Sequence, residues 1–473
     1  MSTTTSGDPG LFELEKGTIE PIPENERYGS TKGLVAIWGG MNMTPLTVVT
    51  GATATTALGL PLGWSILAIL IGHMLGGIGM ALHSAQGPQL GVPQMLQARG
   101  QFGTYGSMII VLVATVMFIG FFASNLVVAA QSAQAVFPSL HNNPAVIIGV
   151  IVSFVIAIFG YKLVRFATAV SVYIVGALVI LSFIALAFAP HLPAILSKGH
   201  FSIVSFSSMI AIGIVWQLAY APYVSDYSRY MPKDSGTTGA FWGTYIGCVG
   251  SSVILMILGA IVGLASTNPN TMAGLNTLDG YDLGIIVLLF FALAAWTGNA
   301  VNVYCCCLCA LTLVETCIIG WKPALRARIW VTIALHIIGM FIAFAGATNF
   351  INVFFNFLTI LLYALIPWSA INLVDYYIIR HGDYAVKDFY KPDGGRYGLW
   401  NVGALIILVL GVGAQIPFLV TTFYTGPIAS ALHGIDFAWL VGLTVSAIGY
   451  IIIARFAPKL CRIGAQNNGT ISA

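Results

Sequence analysis

Residues 37–51 read IWGGMNMTPLTVVTG, an apolar stretch that contains two adjacent glycines and then a proline. Gly39 and Gly40 loosen a helix. Pro45 removes one backbone donor and clashes with the carbonyl of Met41, four residues back. The stretch therefore predicts a helix that is broken near its middle, with backbone carbonyls freed around the break.

The chain around this stretch is strongly apolar. Of its 473 residues, 58% are hydrophobic and 7% are charged, whereas a soluble domain carries about 25% charged residues. Apolar runs of about 20 residues are long enough to cross a bilayer as helices. We expect an all-α integral membrane protein with twelve transmembrane helices, which start near residues 34, 62, 105, 144, 167, 203, 240, 283, 329, 351, 399 and 438.

The lysines and arginines test this count, because short cytoplasmic loops accumulate positive charge. With the amino terminus inside, 18 of the 19 Lys and Arg residues fall on the cytoplasmic side and only Lys198 falls outside. We expect both termini in the cytoplasm, disordered tails over 1–31 and 458–473, and location in the plasma membrane. The net charge of +3 then reflects topology and does not indicate nucleic-acid binding.

A second break is expected in the sixth span, IGIVWQLAYAPYVSDYSRY (212–230), where Gly213 and Pro222 bracket the middle. Transporters place sites at broken helices, because freed backbone groups are tolerated only around a cavity. Breaks in spans one and six predict inverted repeats over 32–190 and 200–380, followed by two additional helices over 397–457.

The eighth span carries an uncharged polar patch, WTGNAVNVY (296–304). Asn299 and Asn302 share a helix face, and paired carboxamides suit a neutral ligand with alternating C=O and N–H groups. Phe121, Phe122 and Trp216 could supply faces for a planar ring, as could the phenylalanines at 350, 354, 355 and 357. The alternative, that the asparagines only hold helices together, stays open at this point.

Other polar residues in the spans carry weaker expectations. Asp226 and Glu315 lie near the inner ends of spans six and eight, and ionisable residues at depth are functional candidates. We expect His73, His83 and His336 to be hydrogen-bonded packing residues. Four cysteines on one apolar helix are expected to pack as small residues: Cys305, Cys306, Cys307 and Cys309.

The patch WTGNAVNVY resembles the eighth-span motif of the nucleobase-cation symport-1 family, the cytosine and purine permeases, which also includes uracil, allantoin, hydantoin and thiamine-type transporters. Three further stretches agree, and a fourth is similar to the family's loop after span two. They are WGGMNMTPLTVVTGA (38–52), APYVSDYSRYMP (221–232), INLVDYYIIRHGDY (371–384) and GVPQMLQARGQFG (91–103).

The resemblance implies a LeuT-type fold of five-plus-five inverted repeats with two additional helices, one mid-membrane substrate site and cation symport. It implies that substrate contacts come from Phe121, Asn125, Trp216, Gln217, Asn299 and Asn302. In the sodium-coupled members the ion is held by span-one carbonyls and by span eight, which here implies carbonyls near Gly40 and Met43, together with Thr297.

The sequence departs from the family pattern at three positions. Phe121 replaces the usual tryptophan, and Asn302 lies one place from the usual position of the second asparagine. Gly298 stands where members often have a hydroxyl, so a sodium site would lose one oxygen ligand. Proton coupling therefore stays open, with Glu315 and Asp226 as the candidate acids.

We expect a secondary active transporter that imports a neutral nucleobase or related planar heterocycle with Na⁺ or H⁺. The alternative is a proton-coupled carrier of the same fold for another small solute, such as an allantoin or hydantoin, thiamine or an amino acid. No His-Glu-x-x-His motif or nucleophile–base pair predicts an enzyme. A channel or sensor and any oligomeric state stay open, and no organic cofactor is expected.

Overall fold

The computed structural model describes residues 19–159, 161–188, 198–268, 270–318, 321–421 and 423–463. Over these residues the regular structure is helical, apart from one isolated β-bridge between Val420 and Thr425. The helices of this part of the chain, in order, are α1 (Thr31–Asn42), α2 (Pro45–Thr56), α3 (Leu62–Ser84), α4 (Gly87–Leu90), α5 (Gln94–Phe102), α6 (Ser107–Val136), α7 (Asn142–Phe159), α8 (Tyr161–Ala187), α9 (Ile203–Leu218), α10 (Val224–Ser228), α11 (Lys233–Ala265), α12 (Thr271–Asp279), α13 (Tyr281–Cys317), α14 (Leu325–Gly346), α15 (Phe350–Leu373), α16 (Val402–Gln415), α17 (Pro427–Ala431) and α18 (Ala438–Phe456).

Eight helical segments of the described chain are long and apolar enough to cross a membrane. Two shorter apolar helices, Ile203–Leu218 and Val402–Phe418, accompany them. The helix expected to start near Ala240 begins at Lys233, directly after Pro232. Its first turn is polar, so the apolar pattern did not mark this start. The prediction of an all-α membrane fold is confirmed.

The long helices pack in two groups on either side of the first break. In the first group, α11 runs along α1, α2 and α3, and α3 packs on α9. In the second group, α13 packs on α6, and both contact α7 and α14. Helices α15, α16 and α18 pack on one another, α15 also contacts α9, and α8 contacts both α1 and α13. The break between α1 and α2 therefore faces α6 and α13 of the second group.

Glycines on α11 let both halves of the broken helix approach it closely. A Cβ atom at Gly243 or Gly247 would lie 2.8 or 2.9 Å from carbonyl oxygens of α1. A Cβ atom at Gly259 would collide with the carbonyl oxygen of Val48 in α2. Small residues at a spacing of four allow such close contact between membrane helices. Helix α11 therefore packs closely on both α1 and α2, which follow one another along it.

Residues 19–30 pack against the helices, although they fall in the segment expected to be a disordered tail. Ile19 is buried, and its carbonyl accepts the Tyr390 hydroxyl at 2.7 Å. The Arg27 guanidinium donates to the Pro88 carbonyl at 2.5 Å. These contacts arise from residues far apart in sequence, so polarity alone did not reveal them. In the other expected tail, Pro458–Cys461 form a 3₁₀ turn, and the Cys461 carbonyl accepts the Arg380 guanidinium at 3.2 Å. Residues 1–18 and 464–473, the rest of both tails, lie outside the described residues.

A buried ion pair lies at the same end of the molecule. Arg99 of α5 donates to the carboxylate of Glu315 in α13, and also to the Thr316 hydroxyl at 2.6 Å and the Phe389 carbonyl at 2.7 Å. The Arg99 side chain is 2% exposed. Glu315, one of the two acids noted in the sequence, is thus matched by a cation, and the Arg99 contacts join three parts of the chain.

Asp279 lies at the opposite end of the molecule, where α12 ends. Its Oδ2 accepts the Ser182 hydroxyl at 2.6 Å, whereas Oδ1 has no hydrogen-bond partner among the described residues. Burial raises the pKa of Asp279 to about 6, and the Ser182 hydrogen bond only partly offsets this. The charged form is therefore disfavoured in the folded protein.

The glycine contacts predict a difference between two substitutions on the same helix. Gly259→Ala should lower the thermal unfolding midpoint, because the new methyl group must push α2 away from α11. Gly250→Ala, where a Cβ atom meets no heavy atom within 4 Å, should be neutral or stabilise by about 0.5–1 kcal/mol. Equal midpoints for the two variants, measured in the same detergent, would exclude the close-packing account.

Asp279 predicts a pH-dependent stability. Its folded pKa lies above the value expected in the unfolded chain, so the folded state binds the extra proton and loses stability as pH rises from about 4 to 6. Asp279→Asn keeps an acceptor for Ser182 and removes the charge. Its unfolding midpoint should exceed that of wild type at pH 7.5, and the difference should shrink at pH 4.5. A difference independent of pH would contradict this account.

Candidate functional site

The first break lies where the glycine and proline pattern predicted it. Helix α1 ends at Asn42 and α2 begins at Pro45, with extended backbone at Thr44. The Asn42 carbonyl accepts the Thr44 amide at 2.7 Å and the Thr47 hydroxyl at 2.7 Å. The Met43 amide reaches the carbonyls of Gly39 and Gly40 at 3.2 Å. Local hydrogen bonds therefore satisfy much of the unwound backbone.

The Asn42 side chain joins the break to two other helices. Its Oδ1 accepts three hydrogen bonds of 2.8 Å, from the Trp216 indole, the Tyr220 hydroxyl and the Ser252 hydroxyl. Its Nδ2 donates to the Trp38 carbonyl at 3.0 Å. Asn42 is fully buried, so this oxygen fixes parts of α1, α9 and α11 relative to one another.

The second break lies slightly later than the sequence indicated. Helix α9 ends at Leu218 and α10 begins at Val224, with turns between them. Trp216 and Gln217 therefore belong to the last turn of α9, and Tyr220 to the break itself. Pro222 accounts for the interruption, because it cannot donate a backbone hydrogen bond and disfavours helix at the residue before it.

A small cavity lies between the two breaks and helices α6 and α13. Its volume is about 20 Å³, which is enough for about one water molecule. A planar ring would enter only after the lining side chains move apart. The lining residues are Met41, Thr44, Leu46, Phe121, Asn125, Trp216, Ala219, Tyr220, Tyr223 and Asn302.

Four of the six residues predicted to contact substrate line this cavity: Phe121, Asn125, Trp216 and Asn302. The Phe121 ring meets the Trp216 ring edge-on, with centroids 6.0 Å apart. Asn125 Oδ1 is buried and has no hydrogen-bond partner among the described residues. The cavity therefore combines ring faces with an acceptor that the described part of the protein leaves unused.

The other two predicted contacts point away from the cavity. Gln217 Nε2 lies 2.8 Å from His73 Nδ1 and 3.3 Å from the Ser252 hydroxyl, on the side of α3 and α11. Asn299 Nδ2 donates to the Phe122 carbonyl at 3.1 Å. Both side chains are fully buried, and both hold helices together in this conformation.

The residues implied for a cation lie near the first break. The Thr297 hydroxyl donates to the Leu293 carbonyl of its own helix at 3.0 Å, which leaves its oxygen free to accept. A Cβ atom at Gly298 would make ordinary van der Waals contact with the break, at 3.7 Å from Thr44 Cγ2 and 4.0 Å from the Met41 carbonyl oxygen. Among the described residues, no group of three or more His, Cys, Asp or Glu side chains could hold a metal ion.

The histidines and cysteines are buried as the sequence predicted. His83 and His336 lie 2.8 Å from carbonyls of their own helices, and His73 lies between Gln217 and the Met256 sulfur. The four cysteines of α13 are buried and form no disulfide.

Sequence reasoning did not assign Asn42, Thr44 and Tyr223, and named Tyr220 only as part of a break. One signal was available for Asn42, because it is a carboxamide immediately before the proline break of an otherwise apolar span. The tyrosines follow Trp216 at roughly one-turn spacing.

Comparison with known proteins agrees with this geometry. The family described as permeases for cytosine/purines, uracil, thiamine and allantoin matches residues 21–442. The chain belongs to this family. Like other members of this permease family, it is an integral membrane transport protein and not an enzyme.

Two curated relatives are similar over nearly the whole permease. A putative purine-cytosine permease of Bacillus subtilis, YxlA, is 36% identical over 451 residues, which are 95% of this chain and 97% of the relative. The purine-cytosine permease fcyB of Emericella nidulans is 24% identical over 470 residues, which are 95% and 90% of the two chains.

Solved structures show the same fold for this permease. The transporter Mhp1, in a closed conformation with bromovinylhydantoin bound, superposes with a TM-score of 0.76 at 18% identity, covering 94% of this chain and 96% of Mhp1. A Na⁺-coupled sialic acid symporter superposes with a TM-score of 0.63 at 12% identity, covering 91% of each chain. The fold is therefore that of the LeuT-like transporters.

The Asn42 contacts predict a stability effect. Asn42→Ala removes the acceptor of three buried donors, and a buried donor without a partner costs about 1–3 kcal/mol. We expect the unfolding midpoint to fall by several degrees. The matched control is Asn352→Ala, because Asn352 is exposed and its amide donates only to Asn349 in the contacts shown. If both variants unfold at the same temperature, the hydrogen bonds to Asn42 do not contribute the expected stability.

Proposed function

We propose that this permease imports a neutral nucleobase or related planar heterocycle together with a cation. The chemistry of the inner cavity carries the proposal. None of its ten lining residues is charged, and four aromatic rings and two carboxamides face it. Aromatic rings stack on planar ligands, and carboxamides offer both donors and acceptors to a ring edge.

The relatives support the same class of substrate. Two are named purine-cytosine permeases, and Mhp1 holds a hydantoin, a ring with alternating C=O and N–H groups. An allantoin permease of Bacillus subtilis is 29% identical over 103 residues, so an allantoin or hydantoin remains the alternative. An amino acid fits less well, because no lining side chain opposes either of its charges.

We propose that the chain crosses the membrane twelve times, with repeats over 32–190 and 200–380 and two additional helices over 397–457. The long apolar segment Leu325–Ile379 supports this count, because a 3₁₀ turn at Ala347–Asn349 divides it into α14 and α15. Each broken helix counts as one crossing. The lysine and arginine distribution supports cytoplasmic termini in the plasma membrane.

The proposed cycle is alternating access. The first group of helices, which carries both breaks, rocks against the second group, and α15 serves as a thin gate. Substrate and cation drive this change only through their different affinities for the two states. The small inner cavity fits a conformation in which the site is closed around itself.

The coupling ion is proposed as Na⁺ or H⁺, on different residues. Sodium would use carbonyls near Gly40 and Met43 with the Thr297 hydroxyl, and Gly298 weakens this set. For a proton, the candidate acids Glu315 and Asp226 are both engaged, Glu315 by Arg99 and Asp226 by the Gln94 amide at 2.8 Å. A proton would therefore compete with existing contacts at either acid.

Ligand-dependent stabilisation tests the proposal. A ligand that binds the folded protein raises its unfolding midpoint, so at least one of cytosine, uracil, adenine, guanine, hypoxanthine, allantoin and thiamine should do so. Asn302→Ala should weaken that ligand about tenfold or more, because it removes a polar contact from the cavity. Asn352→Ala, the exposed control, should bind as wild type does. No shift with any of these ligands, or unchanged binding by Asn302→Ala, would refute the proposal.

The same assay in sodium and in potassium identifies the ion. A larger shift in sodium favours the site at the first break, and Gly298→Ser, which adds a hydroxyl facing that break, should then increase the sodium effect. Equal shifts in both salts, together with uptake that follows an imposed pH gradient in proteoliposomes, favour protons.

A further inference from the structure

A second, larger cavity lies at the end of the molecule opposite residues 19–30. Its volume is about 300 Å³, at the lower limit of the range of about 300–1,000 Å³ for small-molecule sites. Helices α9 and α15 form its walls, together with Leu58, Val420, Thr421 and Asp436. The proposed orientation places this outer cavity on the extracellular side, where a substrate arrives first.

The hydroxyl groups of the outer cavity can accept hydrogen bonds but have already donated their protons. Ser208, Thr359 and Thr421 donate to carbonyls of their own segments at 2.8–2.9 Å. A hydroxyl oxygen that has donated its proton still carries acceptor lone pairs. These groups therefore favour a ligand that brings its own N–H donors.

Asp436 adds a carboxylate to the same wall. Its Oδ2 accepts the Tyr363 hydroxyl at 2.6 Å, and its Oδ1 accepts the Ala438 amide at 2.8 Å. Each oxygen of an ionised carboxyl can accept a second hydrogen bond. No lysine or arginine lines the cavity, so Asp436 offers negative charge without an opposing cation in the wall.

The outer cavity borders the inner one through helix α15. Phe354 and Phe357 pack against Phe121 of the inner cavity, with ring centroids 6.4 and 5.3 Å apart. Phe355, on another face of the same helix, lines the outer cavity. A planar ring in the outer cavity would thus lie one layer of aromatic side chains from the inner site.

We propose that the outer cavity is a second binding site for a planar heterocycle with amino or several N–H groups, which donate to Asp436 and the hydroxyl oxygens. This inference rests on the proposed function, because it assumes the same class of ligand. A ring with an exocyclic amino group binds there more tightly than its oxo analogue, since the amino group donates to Asp436 and the hydroxyl oxygens, whereas the lining offers a carbonyl a side-chain donor only at the Asn356 carboxamide.

Saturation binding to the purified full-length permease tests this site. The probes are two matched pairs, adenine with hypoxanthine and cytosine with uracil. Wild type should bind two equivalents of the amino member of the recognised pair, and Asp436→Asn should bind one. The asparagine side-chain oxygen can still accept the Ala438 amide, so the variant should fold. Thr359→Val, which removes one acceptor without changing size much, should weaken the same component.

Asp393→Asn is the matched control, because Asp393 is an exposed carboxylate between α15 and α16 at the other end of the molecule. It should keep both equivalents and the amino preference of wild type. Uptake by Asp436→Asn should fall several-fold at low substrate concentration, with the amino and oxo analogues becoming more nearly equal.

The outcomes separate this inference from the proposed function. One equivalent in wild type, lost in Asn302→Ala and unchanged in Asp436→Asn, would refute the outer site and leave the proposed function standing. If Asp436→Asn still binds two equivalents of the ring but its binding no longer depends on sodium, the cavity holds a cation. That result would refute the proposal. If no ring binds to wild type, both fail together.

Discussion

The carboxamide oxygen of Asn42 is the contact on which the arrangement of the inner cavity depends. It lies at the first break and receives one donor each from Trp216, Tyr220 and Ser252. Trp216 and Tyr220 are themselves walls of the cavity. In an apolar interior a polar atom without partners is costly. One buried oxygen thus fixes the aromatic walls relative to the break that they surround.

Charge is distributed very unevenly along the molecule. The inner cavity has no charged side chain, whereas the end near residues 19–30 holds buried ion pairs such as Arg99 with Glu315 and Arg380 with Asp375. The opposite end has the larger cavity. Separating a buried ion pair leaves charges without partners, which is costly. These ion pairs therefore help to hold the charged end of the molecule together.

Local chemistry made the breaks predictable, and long-range contacts determined most of the rest. Pro45 and Pro222 locate the breaks because proline acts on its own helix. The proline break marked the position of Asn42, but its contacts could not be read from sequence, since its partners lie more than 170 residues away in α9, in the break after α9 and in α11. The apolar runs likewise predicted membrane helices, because the hydrophobicity of a span depends only on its own residues.

The two asparagines of α13 show where the argument from helix periodicity ends. Their spacing predicted one shared helix face, yet only Asn302 lines the cavity, while Asn299 bonds to the Phe122 carbonyl. Gln217 likewise neighbours Trp216 in sequence but points towards His73. Helix periodicity predicts which way a side chain points relative to its own helix. The position of the neighbouring helices decides whether that side chain reaches the cavity.

The close packing of glycines on α11 changes what a broken helix means here. An interrupted helix is usually regarded as a joint, because the backbone has lost the hydrogen bonds that keep it straight. Here α1 and α2 both pack against the unbroken helix α11, through Gly247 on one side of the break and Gly259 on the other. Helix α11 therefore supports both halves of the broken helix. In the proposed alternating-access cycle these contacts would resist bending at the interruption, so we expect α1, α2 and α11 to move together.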